Sequence, residues 1–225
     1  MPIKSAVFDA YGTLFDVTAA AREAAGEPGQ EALADTWQGL AATWRAKQLE
    51  YSWLRAIRGD HTDFWTVTQD ALDYALEAHG LGDPALRERL AQLYWQLSAY
   101  PEVPAMLERL KARGLNTAIL SNGSPGMLEG AVQSAGLDAL LDAVLSVESV
   151  GIFKPAAPVY DLVNERFGGT KDEVLFVSSN GWDVSSAARY GFRTLWVNRA
   201  GLPVDRMPGT PDTIHSDLTT LEEVL

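Results

Sequence analysis

Ser5-Ala6-Val7-Phe8-Asp9-Ala10-Tyr11-Gly12-Thr13-Leu14-Phe15-Asp16 begins as a short apolar run and breaks at a carboxylate. A run of that length, closed by an acidic residue and a glycine-bearing turn, reads as a strand whose carboxyl end delivers Asp9. Runs of the same kind recur at Asn116 to Leu120, Ala143 to Val147, Val174 to Val177 and Thr194 to Val197, with a weaker one at Thr213 to His215. The stretches between them read as helices: Ser124-Pro125 has the form of an N-cap and first helical residue, and Pro104 opens another helix. This βαβα alternation from about residue 100 onward predicts an α/β fold, a Rossmann-like parallel sheet with helices on its faces.

Between Asp16 and Ser98 the pattern changes. No strand signal occurs there, while Leu33, Trp37, Leu40 and Trp44 recur at helical spacing. Phe64, Val67, Ala71, Ala75 and His79 mark a second helix, and Ala19 to Gly29 reads as a short helix and turn. A helical block inserted after the first strand predicts an all-helical cap, residues 16–98, over a core made of residues 1–15 and 99–225. A single long crossover packed into the core is the competing topology.

Composition narrows the function classes. With 225 residues, 47% of them hydrophobic and 21% charged, the chain is neither disordered nor of low complexity. It has no cysteine, which excludes disulfides, thiolate catalysis and cysteine-based zinc sites. Eighteen basic residues against 30 acidic ones give a net charge of −12, so no basic stripe exists for nucleic acid or an anionic membrane. Asp9 arrives too early for a signal-peptide apolar region, and no apolar run approaches the roughly 20 residues of a membrane span. The expected location is the cytoplasm. His61, His79 and His215 are too scattered for a metal site, and no Walker loop or GxGxxG occurs. Asn122-Gly123-Ser124-Pro125-Gly126 approaches a nucleophile elbow but has asparagine in the first glycine's place.

Ligands of an open parallel sheet bind beyond the carboxyl ends of its strands. Four expected strands send polar groups to that edge: Asp9, then Ser121-Asn122-Gly123, then Lys154-Pro155, then Ser178-Ser179-Asn180-Gly181-Trp182-Asp183. Each alone reads equally as a turn or a helix cap; four on one edge read as a site. In this order, and with Asp9 to Asp16 as the first, they resemble the four motifs of the haloacid dehalogenase superfamily. Trp44-Arg45-Ala46-Lys47-Gln48-Leu49-Glu50-Tyr51-Ser52-Trp53-Leu54-Arg55 resembles the L-2-haloacid dehalogenase branch in particular. The resemblance covers nearly the whole chain.

Phosphatases of the superfamily carry a second aspartate two residues after the nucleophile, as leaving-group acid. Tyr11 stands there instead, and a phenol with a pKa of about 10 is a weak acid and a poor hard-cation ligand. Asp183 is the only carboxylate of its segment, so the expected site holds no metal and needs no cofactor. A leaving halide requires neither. The resemblance thus implies hydrolysis of short L-2-haloalkanoic acids to D-2-hydroxyalkanoic acids and halide, through an aspartyl ester with inversion at carbon. The alternatives are a magnesium-dependent phosphatase of the same superfamily and a non-catalytic small-anion-binding protein.

By the same resemblance Asp9 is the nucleophile, held by Thr13 and Ser178 and paired with Lys154. Asp183 and Asn180 position the hydrolytic water, and Tyr160 orients Lys154. Arg45 receives the halide or the substrate's negative end. Ser121 and Asn122, with the amides of the following helix, cradle the substrate carboxylate. Tyr11, Leu49, Phe64 and Trp182 form an apolar wall. Read alone, Lys154 is equally a surface lysine, Arg45 a solvated helix residue, Asp183 a helix cap, and the apolar four simply core. Ala46 stands where some relatives have glutamine, which implies a larger pocket and altered halogen or chain-length preference. The implied partners are the haloacid, the halide and a second copy of the chain, with Trp37, Trp44, Trp53 and Trp65 supplying apolar surface for a homodimer.

Overall fold

The computed structural model describes residues 2–225. In chain order its elements are β1 (Ser5–Phe8), α1 (Ala19–Ala25), α2 (Glu31–Ala34), α3 (Trp37–Arg58), α4 (Phe64–Ala78), α5 (Pro84–Trp95), α6 (Val103–Ala112), β2 (Asn116–Ser121), α7 (Pro125–Ser134), β3 (Ala143–Ser146), α8 (Ala157–Phe167), β4 (Val174–Ser178), α9 (Gly181–Tyr190), β5 (Arg193–Val197) and β6 (Thr213–His215). Among the described residues six strands form one sheet in the order β3-β2-β1-β4-β5-β6, every adjacent pair parallel. Ala6, Val7 and Phe8 of β1 are wholly buried. A central strand covered on both faces must show an unbroken apolar run, which is the pattern that exposed it in the sequence.

The register positions the site. Phe8 lies opposite Ile119 of β2 and Val177 of β4. The residues just beyond these therefore emerge together on adjacent strands spaced about 4.8 Å apart. Asp9 continues the ladder by one bond, its N–H donating to Val177 O at 2.9 Å. The strands run slightly past their apolar runs because Ser121 pairs with Ser146, Ser178 with Trp196, and Arg193 with Leu175. Val147 instead leaves the sheet in a single 3-10 turn.

In the helical segment α3 packs along α4, and α1 against α3 and α5. The expected stripe is split: Leu33 lies on α2, and Trp37 opens α3. Thr36 interrupts the helix with a non-helical φ of −127°, and its hydroxyl donates back to Ala32 O at 2.9 Å, a local bond that competes with helix continuation. Leu33, Leu40 and Trp44 still share the buried side, whereas Trp37 is half-buried. His79 caps α4 rather than lying within it. Trp44 is not free apolar surface either: it is buried, with Nε1 donating to Thr68 O at 2.9 Å. Trp65 sits edge-on to Trp95 at 4.9 Å.

Two neighbouring crossings join the segment to the sheet. Asp16 N–H donates to Ser98 O at 3.1 Å and Tyr100 N–H to Leu14 O at 2.9 Å, with Phe15 and Ala99 bridged antiparallel. Within the segment, Asp63 caps α4 by accepting from Thr66 N at 2.9 Å and from the Thr66 hydroxyl at 2.7 Å. Asp63→Ala is expected to lower stability by about 1 kcal/mol. Urea unfolding checks this through a lower midpoint at unchanged slope; an unmoved midpoint contradicts it.

Candidate active site

Asp9 emerges from β1 into a turn whose tightness depends on Gly12, at φ +89°. A side chain there would meet the Ser179 hydroxyl at 3.0 Å in a left-handed conformation that costs L-residues free energy. The turn brings Thr13 back over Asp9. Asp9 Oδ2 accepts from Asn180 Nδ2 at 2.8 Å and from Thr13 Oγ1 at 3.2 Å, while Oδ1 accepts from Lys154 Nζ at 3.2 Å. Thr13 is fixed in turn by the Ser179 N–H, which donates to its hydroxyl at 2.8 Å.

Lys154 is buried between two carboxylates. Its ammonium lies 3.2 Å from Asp9 and 2.8 Å from Asp183. Its main-chain N–H donates to Asn122 Oδ1 at 2.9 Å, which ties the lysine loop to the end of β2. Burial alone would push the ammonium toward neutrality, yet the charges and hydrogen bonds of Asp183 and Asp9 outweigh it and raise its pKa. Asp183 is raised by burial and by the nearby Asp9 charge, against the lowering pull of Lys154 and Tyr160. The Tyr160 hydroxyl donates to Asp183 Oδ1 at 2.7 Å and is itself held neutral by burial and the adjacent carboxylate.

The helical segment contributes Arg45 from α3. Its Nη2 donates to Tyr11 O at 3.2 Å and to Asn180 Oδ1 at 3.3 Å, and its Nη1 to Gln48 Oε1 at 2.7 Å. A small cavity lies between Asp9, Lys154, Asn180, Ser121 and Asn122 below and Arg45 above, with Tyr11, Leu49, Phe64 and Trp182 around it. Gly123 makes room for Tyr11, since a Cβ there would sit 2.8 Å from the ring. Ser121 Oγ accepts from Gly123 N at 3.1 Å, which leaves its own proton available to donate. The Tyr11 hydroxyl and Trp182 Nε1 are buried with no hydrogen-bond partner among the described residues. Burial and the neighbouring Tyr94 drive the Tyr11 pKa well up, so its phenol stays a donor.

Several expectations change in detail. Ser178 makes no hydrogen bond to the Asp9 carboxylate; its hydroxyl accepts from Asn180 N at 3.1 Å, and the Asn180 side-chain amide is what reaches the carboxylate. Tyr160 bonds Asp183 rather than Lys154. Asp183 is no helix cap; Asn180 holds the N-cap position of α9. Ala46 is exposed and its methyl group lies outside the cavity lining, one helical step of about 100° from Arg45. Gln48, Ser179 and Tyr94 escaped the sequence reading. The legible sign of Gln48 was its place four residues after Trp44, a polar residue continuing an apolar stripe.

The donor set does not suit a hard cation. Lys154 already sits as the cation between Asp9 and Asp183, and a buried phenol occupies the position of a second acid. Among the described residues no group of three or more His, Asp or Glu side chains converges as a metal site.

The chain whose parallel sheet presents this buried carboxylate matches the family model of haloacid dehalogenase-like hydrolase over residues 3–191. The chain belongs to that family. It is 45% identical to (S)-2-haloacid dehalogenase 1 of Pseudomonas sp. strain CBS-3 over 90% of this chain and 87% of that one. It is 44% identical to the (S)-2-haloacid dehalogenase of Xanthobacter autotrophicus over 98% and 87%. The structure of the Xanthobacter autotrophicus L-2-haloacid dehalogenase with chloropropionic acid covalently bound superposes with a TM-score of 0.85 at 38% identity, covering 99% of this chain and 98% of that one.

The Tyr160 hydrogen bond favours ionised Asp183. Tyr160→Phe should therefore move the Asp183 pKa further upward. Because that pKa lies above its unfolded value, the native state holds the proton longer, and stability on this account declines as pH rises through the window between the two. Titration of the carboxyl carbon signal by NMR checks the direction; a shift downward contradicts it.

Proposed function

We propose that this protein hydrolyses short L-2-haloalkanoic acids to D-2-hydroxyalkanoic acids and halide, with Asp9 as nucleophile. The observation that carries the reading is the Asp9 carboxylate, held by Lys154, Asn180 and Thr13 against a small cavity roofed by Arg45. A carboxylate is a modest nucleophile in water, and a dry, oriented one is a better one. Oδ1 carries one hydrogen bond against two on Oδ2 and is the freer oxygen for attack.

The substrate carboxylate takes the donors of Ser121 and Asn122. Asp9 attacks the halogen-bearing carbon from behind; the new C–O bond forms as the carbon–halogen bond breaks, and the configuration inverts. The halide leaves toward Arg45, whose bonds to Tyr11 O and Asn180 are long enough to yield to an anion. The unpaired donors of Tyr11 and Trp182 border the same space. Water then adds to the ester carbonyl of Asp9, and the bond from that carbonyl to the alkyl oxygen breaks. Asp183, backed by Lys154 and Tyr160, takes one water proton and returns it to the departing alkyl oxygen, while the other, left on the re-formed Asp9 carboxyl, is released and restores the carboxylate. No step calls for a metal or a cofactor.

In this reading the helices of residues 16–98 act as a cap on a core of residues 1–15 and 99–225. The protein works as a cytoplasmic homodimer. Half-buried Trp37 and Trp53 and exposed Leu54 and Ile57 on α3 support pairing through the cap; sedimentation at the mass of one chain would refute it. Among the described residues no helix is long and apolar enough to cross a membrane, and fractionation that placed the enzyme outside the cytoplasm would correct the location.

Chloride release from each enantiomer of 2-chloropropionate tests the reaction. We expect release from the L form only, unchanged by EDTA and abolished in Asp9→Asn. Release that EDTA stops, or that survives in the variant, contradicts it. Since Ala46 is exposed, Ala46→Gln should leave the relative turnover of two-, three- and four-carbon 2-chloroacids unaltered; a changed order would put that position in the pocket.

A further inference from the structure

We infer that Gln48 is a positioning residue that sets the aim of Arg45 and, through Asn180, of the Asp9 carboxylate. The inference rests on the roles given above to Arg45 and Asp9. Gln48 is 1% exposed, one turn beyond Arg45 on α3, and its amide orientation is forced. The Thr68 hydroxyl donates to Phe64 O at 2.7 Å, so its lone pairs can only accept, and they accept Gln48 Nε2 at 2.7 Å. Gln48 Oε1 must then face Arg45 Nη1, at 2.7 Å.

The relay continues in one direction. Arg45 Nη2 donates to Asn180 Oδ1 at 3.3 Å, which leaves Asn180 Nδ2 for Asp9 Oδ2 at 2.8 Å. Reversing the glutamine would set its NH₂ against the guanidinium. Reversing the asparagine would set its carbonyl against the carboxylate. Either change opposes like groups in a buried site, where unmet polar groups are costly. The chain thus runs from the backbone of α4 at Phe64, a cavity wall, across α3 to the nucleophile on the sheet. Tyr94, with its hydroxyl 3.1 Å from Gln48 Nε2 and 3.2 Å from Oε1, braces the amide and stacks on Tyr11 at 5.8 Å.

A glutamine also holds Arg45 without neutralising it. The partners of the guanidinium are an amide oxygen, a main-chain carbonyl and a second amide oxygen. Its positive charge therefore remains available to an anion. A carboxylate at position 48 would hold it equally well and cancel that charge.

The test is steady-state chloride release from L-2-chloropropionate, with inhibition by added bromide, in Gln48→Leu, Gln48→Glu, Thr68→Val, Arg45→Lys and the Gln48→Leu/Arg45→Lys pair. Gln48→Leu should lower kcat by about tenfold, the scale of one hydrogen bond to a charged group. It should add little in the double variant, because both changes break one relay. Gln48→Glu should weaken bromide inhibition by about tenfold on the same scale. Thr68→Val keeps the shape of the site, removes the lock on the amide and should lower kcat several-fold without a matching rise in KM. If Gln48→Leu fails to fold, Thr68→Val and Gln48→Glu decide the matter.

Full kcat and normal bromide inhibition in these variants, with Arg45→Lys impaired, would overturn the inference and leave the role of Arg45 standing. Losses that multiply fully in the double variant would also overturn it, as a merely structural effect. Full activity in Arg45→Lys would remove the inference together with the reading beneath it.

Discussion

An ammonium group closed off from water between two carboxylates is the constraint around which this molecule is arranged. Lys154 is 1% exposed, Asp183 is wholly buried and Asp9 nearly so. Taking such charges out of water costs several kcal/mol per ion, and removing one partner of a buried pair typically costs about 3–5 kcal/mol. The arrangement is tolerable because each member is met: Asp9 by Asn180 and Thr13, Asp183 by Tyr160, and the lysine backbone by Asn122. Removing Lys154 would leave two buried carboxylates facing one another.

The parallel sheet is what makes that meeting cheap in sequence. Asp9, Ser121 and Asn180 are far apart along the chain, yet they belong to three neighbouring strand ends in one register. Each strand needs only a short apolar run and one polar residue beyond it. The helical segment supplies a second cation and apolar walls, through Arg45, Leu49 and Phe64. Its two crossings, paired at Phe15 and Ala99, lie next to the turn that carries Thr13, so the helical segment and Asp9 share their mechanical base.

The inner strands β2, β1, β4 and β5 were legible because burial leaves near-unbroken apolar runs; pairing carried a serine or arginine into the ladder at β2, β4 and β5, and β3 lost Val147 to a turn. The cavity lining was legible for a different reason: the resemblance implied Arg45 and the wall of Tyr11, Leu49, Phe64 and Trp182, three of them from helices rather than strand ends. What stayed hidden depends on three-dimensional aim. Of Thr13 and Ser178, only Thr13, carried back by the turn at Gly12, hydrogen-bonds the Asp9 carboxylate. Tyr160 was placed near the right group but on the wrong partner, since one buried hydroxyl can serve either member of an ion pair. Ala46 beside Arg45 in sequence looked like a neighbour in space, and helical rotation sends it to solvent. Gln48 was concealed by its polarity within an apolar stripe, where only the hydrogen bonds of Arg45, Thr68 and Tyr94 explain it.

The central claim is that the oxygen delivered to the product comes from the protein itself. A single turnover of excess enzyme with L-2-chloropropionate in heavy-oxygen water, followed by mass analysis of both the hydroxy acid and the peptide containing Asp9, measures this directly. The account predicts label in the Asp9 side chain and none in the hydroxy acid. Label in the hydroxy acid with an unlabelled peptide would mean that water attacks the substrate carbon, and the covalent mechanism would fall.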